Sequence, residues 1–179
     1  MGTKPSSDVA FSAAVKRVQA ERGSRAAYAK VESRGGFRVE VDDDLRAFLA
    51  DIDTAFLATA SADGQPYVQH RGGAKGFIYA IDAATIGFVE LTGNRQYVTA
   101  GNLSENDRVC LLLMDYARKR RVKVWGTARM AGDELRIAVR AWDINCPQHI
   151  PQKVDAADAA SVIAQLRARI AELEASLAR

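Results

Sequence analysis

The stretch Thr54 to Phe77 reads TAFLATASADGQPYVQHRGGAKGF, and its reading decides the fold class. Thr54 to Ser61 is a nearly continuous apolar run of strand length, Asp63-Gly64 is a strong hairpin signal, and Pro66 suits the start of a strand. A β-hairpin is predicted. Its second strand is unusual: Gln69, His70 and Arg71 follow one another, and Gly72-Gly73-Ala74-Lys75-Gly76 opens the chain before apolar residues resume at Phe77. Further along, Phe77 to Asp82, Thr85 to Leu91, Arg108 to Asp115, Val122 to Met130 and Leu135 to Trp142 read as strands. Many short strands with few helices between them imply an antiparallel sheet or barrel, not a parallel α/β fold.

Helical patterns flank these strands. Val9 to Glu21 places Phe11, Val15 and Val18 at helical spacing and meets a stop signal at Gly23. Asp42-Asp43-Asp44 precedes Leu45, Phe48, Leu49 and Ile52, which share one helical face, and acidic residues suit the positive end of a helix dipole. Between Leu91 and Arg108, a turn, a short helix from about Asn94 and a loop are expected. From Asp155 onward Ile163, Leu166, Ile170, Leu173 and Leu177 repeat at coiled-coil spacing, which suits either a helix packed on its own domain or a helix pair between subunits. The chain reads as one structural domain, with an N-terminal helical segment (1–53), a barrel (54–151) and a C-terminal amphipathic helix (152–179).

Composition narrows the class. The 179 residues are 48% apolar and 26% charged, with a net charge of +3. That suits a globular protein, and no apolar run approaches the length of a membrane span. The mild charge gives no support for a nucleic-acid or membrane-surface protein. The N-terminus lacks the apolar core of a signal peptide, and two cysteines far apart give no disulfide framework, so a cytoplasmic location is expected.

Several chemistries find little support. His70 and His149, with Cys110 inside an apolar run and Cys146 beside Pro147, do not assemble four zinc ligands, so no metal is expected. There is no nucleophile elbow, no Walker A loop and no GxGxxG motif. Arg118-Lys119-Arg120-Arg121 occupies a hairpin connection and reads as a solvated loop or as the wall of an anion site. Two polar stretches remain. In Gln69-His70-Arg71, alternation puts Gln69 and Arg71 on one strand face and His70 on the other, and the following glycines let the backbone approach a ligand. In Thr92-Gly93-Asn94-Arg95-Gln96, a glycine turn opens a helix, so free N–H groups, the helix dipole, Thr92 and Arg95 converge as they would on a phosphate. On adjacent strands of a small barrel, the two stretches would form one anion-binding site.

FLATASADGQPYVQHRGGAKGF, LTGNRQYVTAGNL, RVCLLLMDYARKRRVKVWGTARM and AWDINCPQHI together resemble the pyridoxamine 5'-phosphate oxidase-like FMN-binding split barrels, in particular the predicted flavin-nucleotide-binding branch. The resemblance implies a mainly β (β+α) fold: a split antiparallel β-barrel with flanking helices and, in this chain, a long C-terminal helix. It implies a homodimer with FMN in the groove between subunits. Val68, Gln69, His70 and Arg71 would lie along the flavin, Thr92, Gly93, Asn94, Arg95 and Gln96 would hold its phosphate, and Lys123, Trp125 or Trp142 of the partner chain would complete the pocket. The implied activity is FMN-dependent oxidoreduction of a small molecule, with NAD(P)H as a candidate donor. A non-catalytic flavin carrier or sensor, and a haem- or deazaflavin-binding barrel with His70 as axial ligand, are the alternatives. The chain departs from authentic pyridoxamine phosphate oxidases in lacking their arginine-rich C-terminal segment, which argues against vitamin B6 oxidation. It also carries only Ala131-Gly132-Asp133-Glu134 where a helical insertion is expected, so the chain is either trimmed or broken there.

Overall fold

A computed structural model describes residues 4–91 and 93–178. After a 3₁₀ turn at Ser6–Val9 come α1 (Ala13–Glu21), α2 (Arg25–Glu32) and α3 (Asp43–Asp51). The strands are β1 (Thr54–Ala60), β2 (Pro66–Gly72), β3 (Tyr79–Ala80), β4 (Thr85–Val89), β5 (Arg108–Asp115), β6 (Arg120–Ala131) and β7 (Glu134–Ile144), with α4 (Val98–Glu105) between β4 and β5 and α5 (Ala156–Leu177) after β7. They form one antiparallel sheet in the order β2-β1-β5-β6-β7-β4-β3, curled as a split barrel.

Local chemistry accounts for most boundaries. Asp42 caps α3, its carboxylate accepting from the Leu45 N–H at 3.0 Å, and Asp43 and Asp44 fill the first turn. The helix then buries Leu45, Phe48 and Leu49 in the main core. Gly23 ends α1 at φ 78°. Ala55, Leu57 and Thr59 of β1 point inward, and alternation continues through Val109, Leu111 and Leu113 of β5 and Val122 and Val124 of β6. Burying these side chains at roughly 25 cal/mol per Å² of apolar surface is the main force closing the sheet.

The structure differs from the sequence reading in several places. The helix expected over Val9 to Glu21 starts at Ala13, and α2 was not foreseen; its alanine-rich face carries no strong apolar stripe and no buried residue. The strand expected over Phe77 to Asp82 shrinks to Tyr79–Ala80, because Phe77 and Ile78 turn into the core instead of continuing the ladder. β6 and β7 run longer than predicted and join without a break. Ala131 pairs with Glu134 across a two-residue turn in which Gly132 takes φ 65°, so a tight hairpin stands where a helical insertion is expected. A β-bulge falls between Trp125 and Gly126, and a Cβ at Gly126 would sit 2.3 Å from the Ala138 carbonyl oxygen.

Candidate functional site

β2 is an edge strand, and its alternation is set by β1: Ala55 pairs with Arg71, Leu57 with Gln69 and Thr59 with Tyr67. Tyr67, Gln69 and Arg71 therefore share the inner face with the buried residues of β1, while Val68 and His70 face outward. β2 and β4 are not neighbours. They lie toward opposite ends of the sheet order, and the polar stretches meet across the split in the barrel, where Arg71 Nη2 lies 2.7 Å from Glu90 Oε1. This corrects the expectation of adjacent strands. Arg71 also donates to Thr99 Oγ1 at 3.0 Å, and Thr99 donates to Gln69 Oε1 at 3.1 Å, which ties β2 to the first turn of α4.

These groups line a cavity of about 330 Å³. Its walls are Tyr67, Gln69 and Arg71 from β2, Glu90 and Leu91 after β4, residues 93–100, Met130 at the end of β6, and the Gly132-Asp133 turn. Thr92 lies outside the described residues. Gly93, Asn94, Arg95 and Gln96 all line the cavity and are exposed. The helix begins at Val98, four residues later than expected, because Arg95 and Tyr97 take left-handed conformations at φ 59° and 52°. Such values cost on the order of 1 kcal/mol for a non-glycine residue and concentrate at functional sites. Asn94 does not cap the helix; its side chain accepts from the Gln96 N–H at 3.3 Å and shapes the turn. Tyr97 provides no side-chain cap to α4. The N–H groups of Val98, Thr99 and Ala100, in the first turn of α4, have no intrahelical acceptor.

Charge in the cavity is unevenly matched. Burial pushes the Glu90 carboxyl above its ordinary range, outweighing the opposing Arg71 charge. Among the described residues, Glu90 Oε2 and Arg71 Nε are buried with no hydrogen-bond partner. One acceptor atom and one donor atom thus stand together in the lining without a partner among the described residues. Among the described residues Arg95 forms no ion pair.

The remaining candidates lie elsewhere. His70 packs edge-on against Phe56 on the outer face, with ring centroids 5.6 Å apart, and does not line the cavity. A haem ligated by His70 would need another site. Lys123 and Trp125 project from that same outer face of β6, and Trp125 stacks on Phe37 at 5.4 Å. Trp142 is only 1% exposed, and its indole N–H donates to the Glu40 carbonyl at 2.7 Å, so it is committed to the core.

Sequence reading missed Glu90, Thr99, Tyr67 and the β6–β7 turn. For Glu90 the signal was present: Phe88 is inward, so strand alternation aims Glu90, two residues on, at the same interior. Thr99 and Met130 gave no such signal, since their place in the lining depends on how the barrel closes. The basic loop resolves as structural. Arg118 and Arg120 both pair with Asp115 and Asp51.

The chain belongs to the pyridoxamine 5'-phosphate oxidase family, whose model matches residues 41–169. Similar solved structures include HupZ of Group A Streptococcus, at 18% identity over 63% of this chain and 98% of that one, with a TM-score of 0.47. A FAD-binding protein of Mesorhizobium loti matches at 16% identity over 59% and 94%, with a TM-score of 0.44. General stress protein 26 of Bacillus anthracis matches at 13% identity over 55% and 88%, with a TM-score of 0.43. No curated protein matches the chain. Among the described residues, no helix is long and apolar enough to cross a membrane.

Proposed function

We propose that this chain is an FMN-binding oxidoreductase. The observation that carries the reading is the convergence, on one cavity, of a left-handed turn bearing Arg95, the uncapped start of α4, and the inner polar face of β2. Membership of a family that binds flavin-type cofactors supports it. Gly93 to Gln96, Arg95 and the first N–H groups of α4 would hold the phosphate, because a dianion there meets both a guanidinium and the positive end of a helix dipole. Gln69, Arg71 and Glu90 would meet the polar parts of the ring system, where the unmatched Arg71 Nε donor and Glu90 Oε2 acceptor find partners. When bound, FMN supplies the hydride and electron chemistry, so the protein need only position and enclose it.

The reading includes a homodimer. Phe56, Val68, Lys123 and Trp125 lie on an outer sheet face that a second copy would cover, and Lys123 and Trp125 would then approach the flavin of the partner. The test is the visible spectrum of the purified protein, followed by titration of the stripped protein with FMN and mixing with NADPH or NADH. An oxidoreductase shows a flavin band near stoichiometric occupancy that bleaches on mixing. A stable band with every donor tried identifies a carrier instead, and failure to bind FMN at micromolar concentration rejects the assignment.

A further inference from the structure

The apolar face of α5 has nothing against it. Among the described residues none in this 22-residue helix is buried, and Ile163, Leu166, Ile170 and Leu173 are each about half exposed, with Leu177 more so. At 1.5 Å per residue the helix is about 33 Å long. It is tethered at its start by Lys75, whose ammonium lies 3.2 Å from Asp155.

The residues of the seam specify a partner. Placing Ile163, Ile170 and Leu177 at the first core position of successive heptads puts Leu166 and Leu173 at the second. β-Branched residues at the first position with leucine at the second favour parallel two-stranded coiled coils. The flanking charges agree. In a parallel, in-register pair the residue just before one core position faces the residue five further along the partner, so Arg169 meets Glu174 of the other copy, and symmetry repeats the contact. Antiparallel pairing fares worse. The register that uses all five seam residues sets Arg167 against Arg167 and Arg169 against Arg169, while the register that pairs Arg167 with Glu174 leaves Ile163 beyond the end of the partner helix.

We propose that α5 pairs in parallel and in register with α5 of a second copy of this chain. The pairing rests on the homodimer reading in one respect: three heptads are marginal alone, and a dimeric barrel supplies the high local concentration that makes them associate.

The test uses the full chain carrying Cys146→Ser and single cysteines introduced along α5, oxidised in a glutathione buffer and mapped by peptide mass. Leu173→Cys should give a symmetric disulfide-linked dimer at least tenfold more abundant than Ala168→Cys, which lies on the opposite helix face. Arg169→Glu or Glu174→Arg should each reduce that linkage, and the two together should restore it. Equal linkage at positions 168 and 173 overturns the pairing. A chain carrying both Ile170→Cys and Leu173→Cys that links position 170 to 173 in preference to 173 to 173 overturns the parallel orientation. Flavin content is read on the same samples. A flavin-loaded dimer without linkage through α5 removes this proposal alone, whereas linkage in a chain that binds no flavin removes the functional reading alone.

Discussion

Two carboxylates, the buried Asp115 at the end of β5 and the partly buried Glu90 just after β4, face arginines in opposite ways. Burial pushes the Asp115 carboxyl up, but the Arg118 N–H and the Arg120 and Arg118 side chains more than offset it and hold the group below its ordinary range. Its oxygens accept from Arg118 N at 2.9 Å, Arg120 Nη2 at 2.9 Å and Arg120 Nε at 3.1 Å. Among the described residues Glu90 has the single partner Arg71; burial wins, and its pKa rises. The carboxylate with several donors closes a hairpin, while the one with fewer donors lines the cavity beside an N–H that has no partner among the described residues. Arg118 and Arg120 of the basic loop, which reads in sequence as a solvated loop or an anion wall, serve Asp115 as a structural lock.

The comparison breaks if removing the lock does not cost stability. Asp115→Ala should destabilise the fold by about 2–4 kcal/mol, because it removes the buried acceptor of the Arg118 N–H and of both arginine side chains, leaving them only Asp51, and opens the β5–β6 connection. Denaturant titration measures this, and FMN affinity of the folded fraction should stay within a factor of two. Loss of flavin binding with intact stability would reverse the roles of the two sites.

Arg95→Ala should weaken FMN binding by about one to two decades, corresponding to the roughly 1.5–3 kcal/mol net worth of a charge-assisted hydrogen bond. Fluorescence-quenching titration reads it, with circular dichroism confirming the fold. An unchanged dissociation constant takes Arg95 out of the phosphate site.

Smaller is the coupling between Arg71 and Glu90. Arg71→Met leaves the partly buried Glu90 without its cation and Glu90→Gln leaves the partly buried Arg71 without its anion, so the double variant should be more stable than the sum of the single effects predicts, by about 1 kcal/mol. Additive losses would mean that the 2.7 Å contact carries no energy.

Opposite pH dependences give the finest test. Glu90 has a raised folded pKa, so the folded chain holds this proton more tightly than the unfolded one; its contribution is complete below the ordinary value of 4.5 and is lost as pH climbs through the folded value. Asp115, with a lowered folded pKa, contributes fully above 3.8 and loses that contribution as pH falls through its folded value. Glu90→Gln should therefore remove a decline in stability on the alkaline side of 4.5, and Asp115→Asn a decline on the acid side of 3.8. If both variants flatten the same limb, the environments of the two carboxylates are not opposed.

Sequence alone determined what depends on near neighbours along the chain. Apolar runs between turn signals marked the strands, alternation put Gln69 and Arg71 on one face, Asp63-Gly64 placed the hairpin, and Asp42 with its acidic successors marked the start of α3. The spacing from Ile163 to Leu177 drew the seam of α5, though not what lies against it. Tertiary structure decided the rest. Arg71 could not be matched to Glu90 and Thr99 from sequence, because contacts between residues 19 and 28 positions apart arise only when the sheet curls and its ends approach. Trp142 and His70 show the same limit. One is taken by the core through Glu40, 102 residues away, and the other is turned outward, because inside and outside are set by which face of the sheet the chain buries.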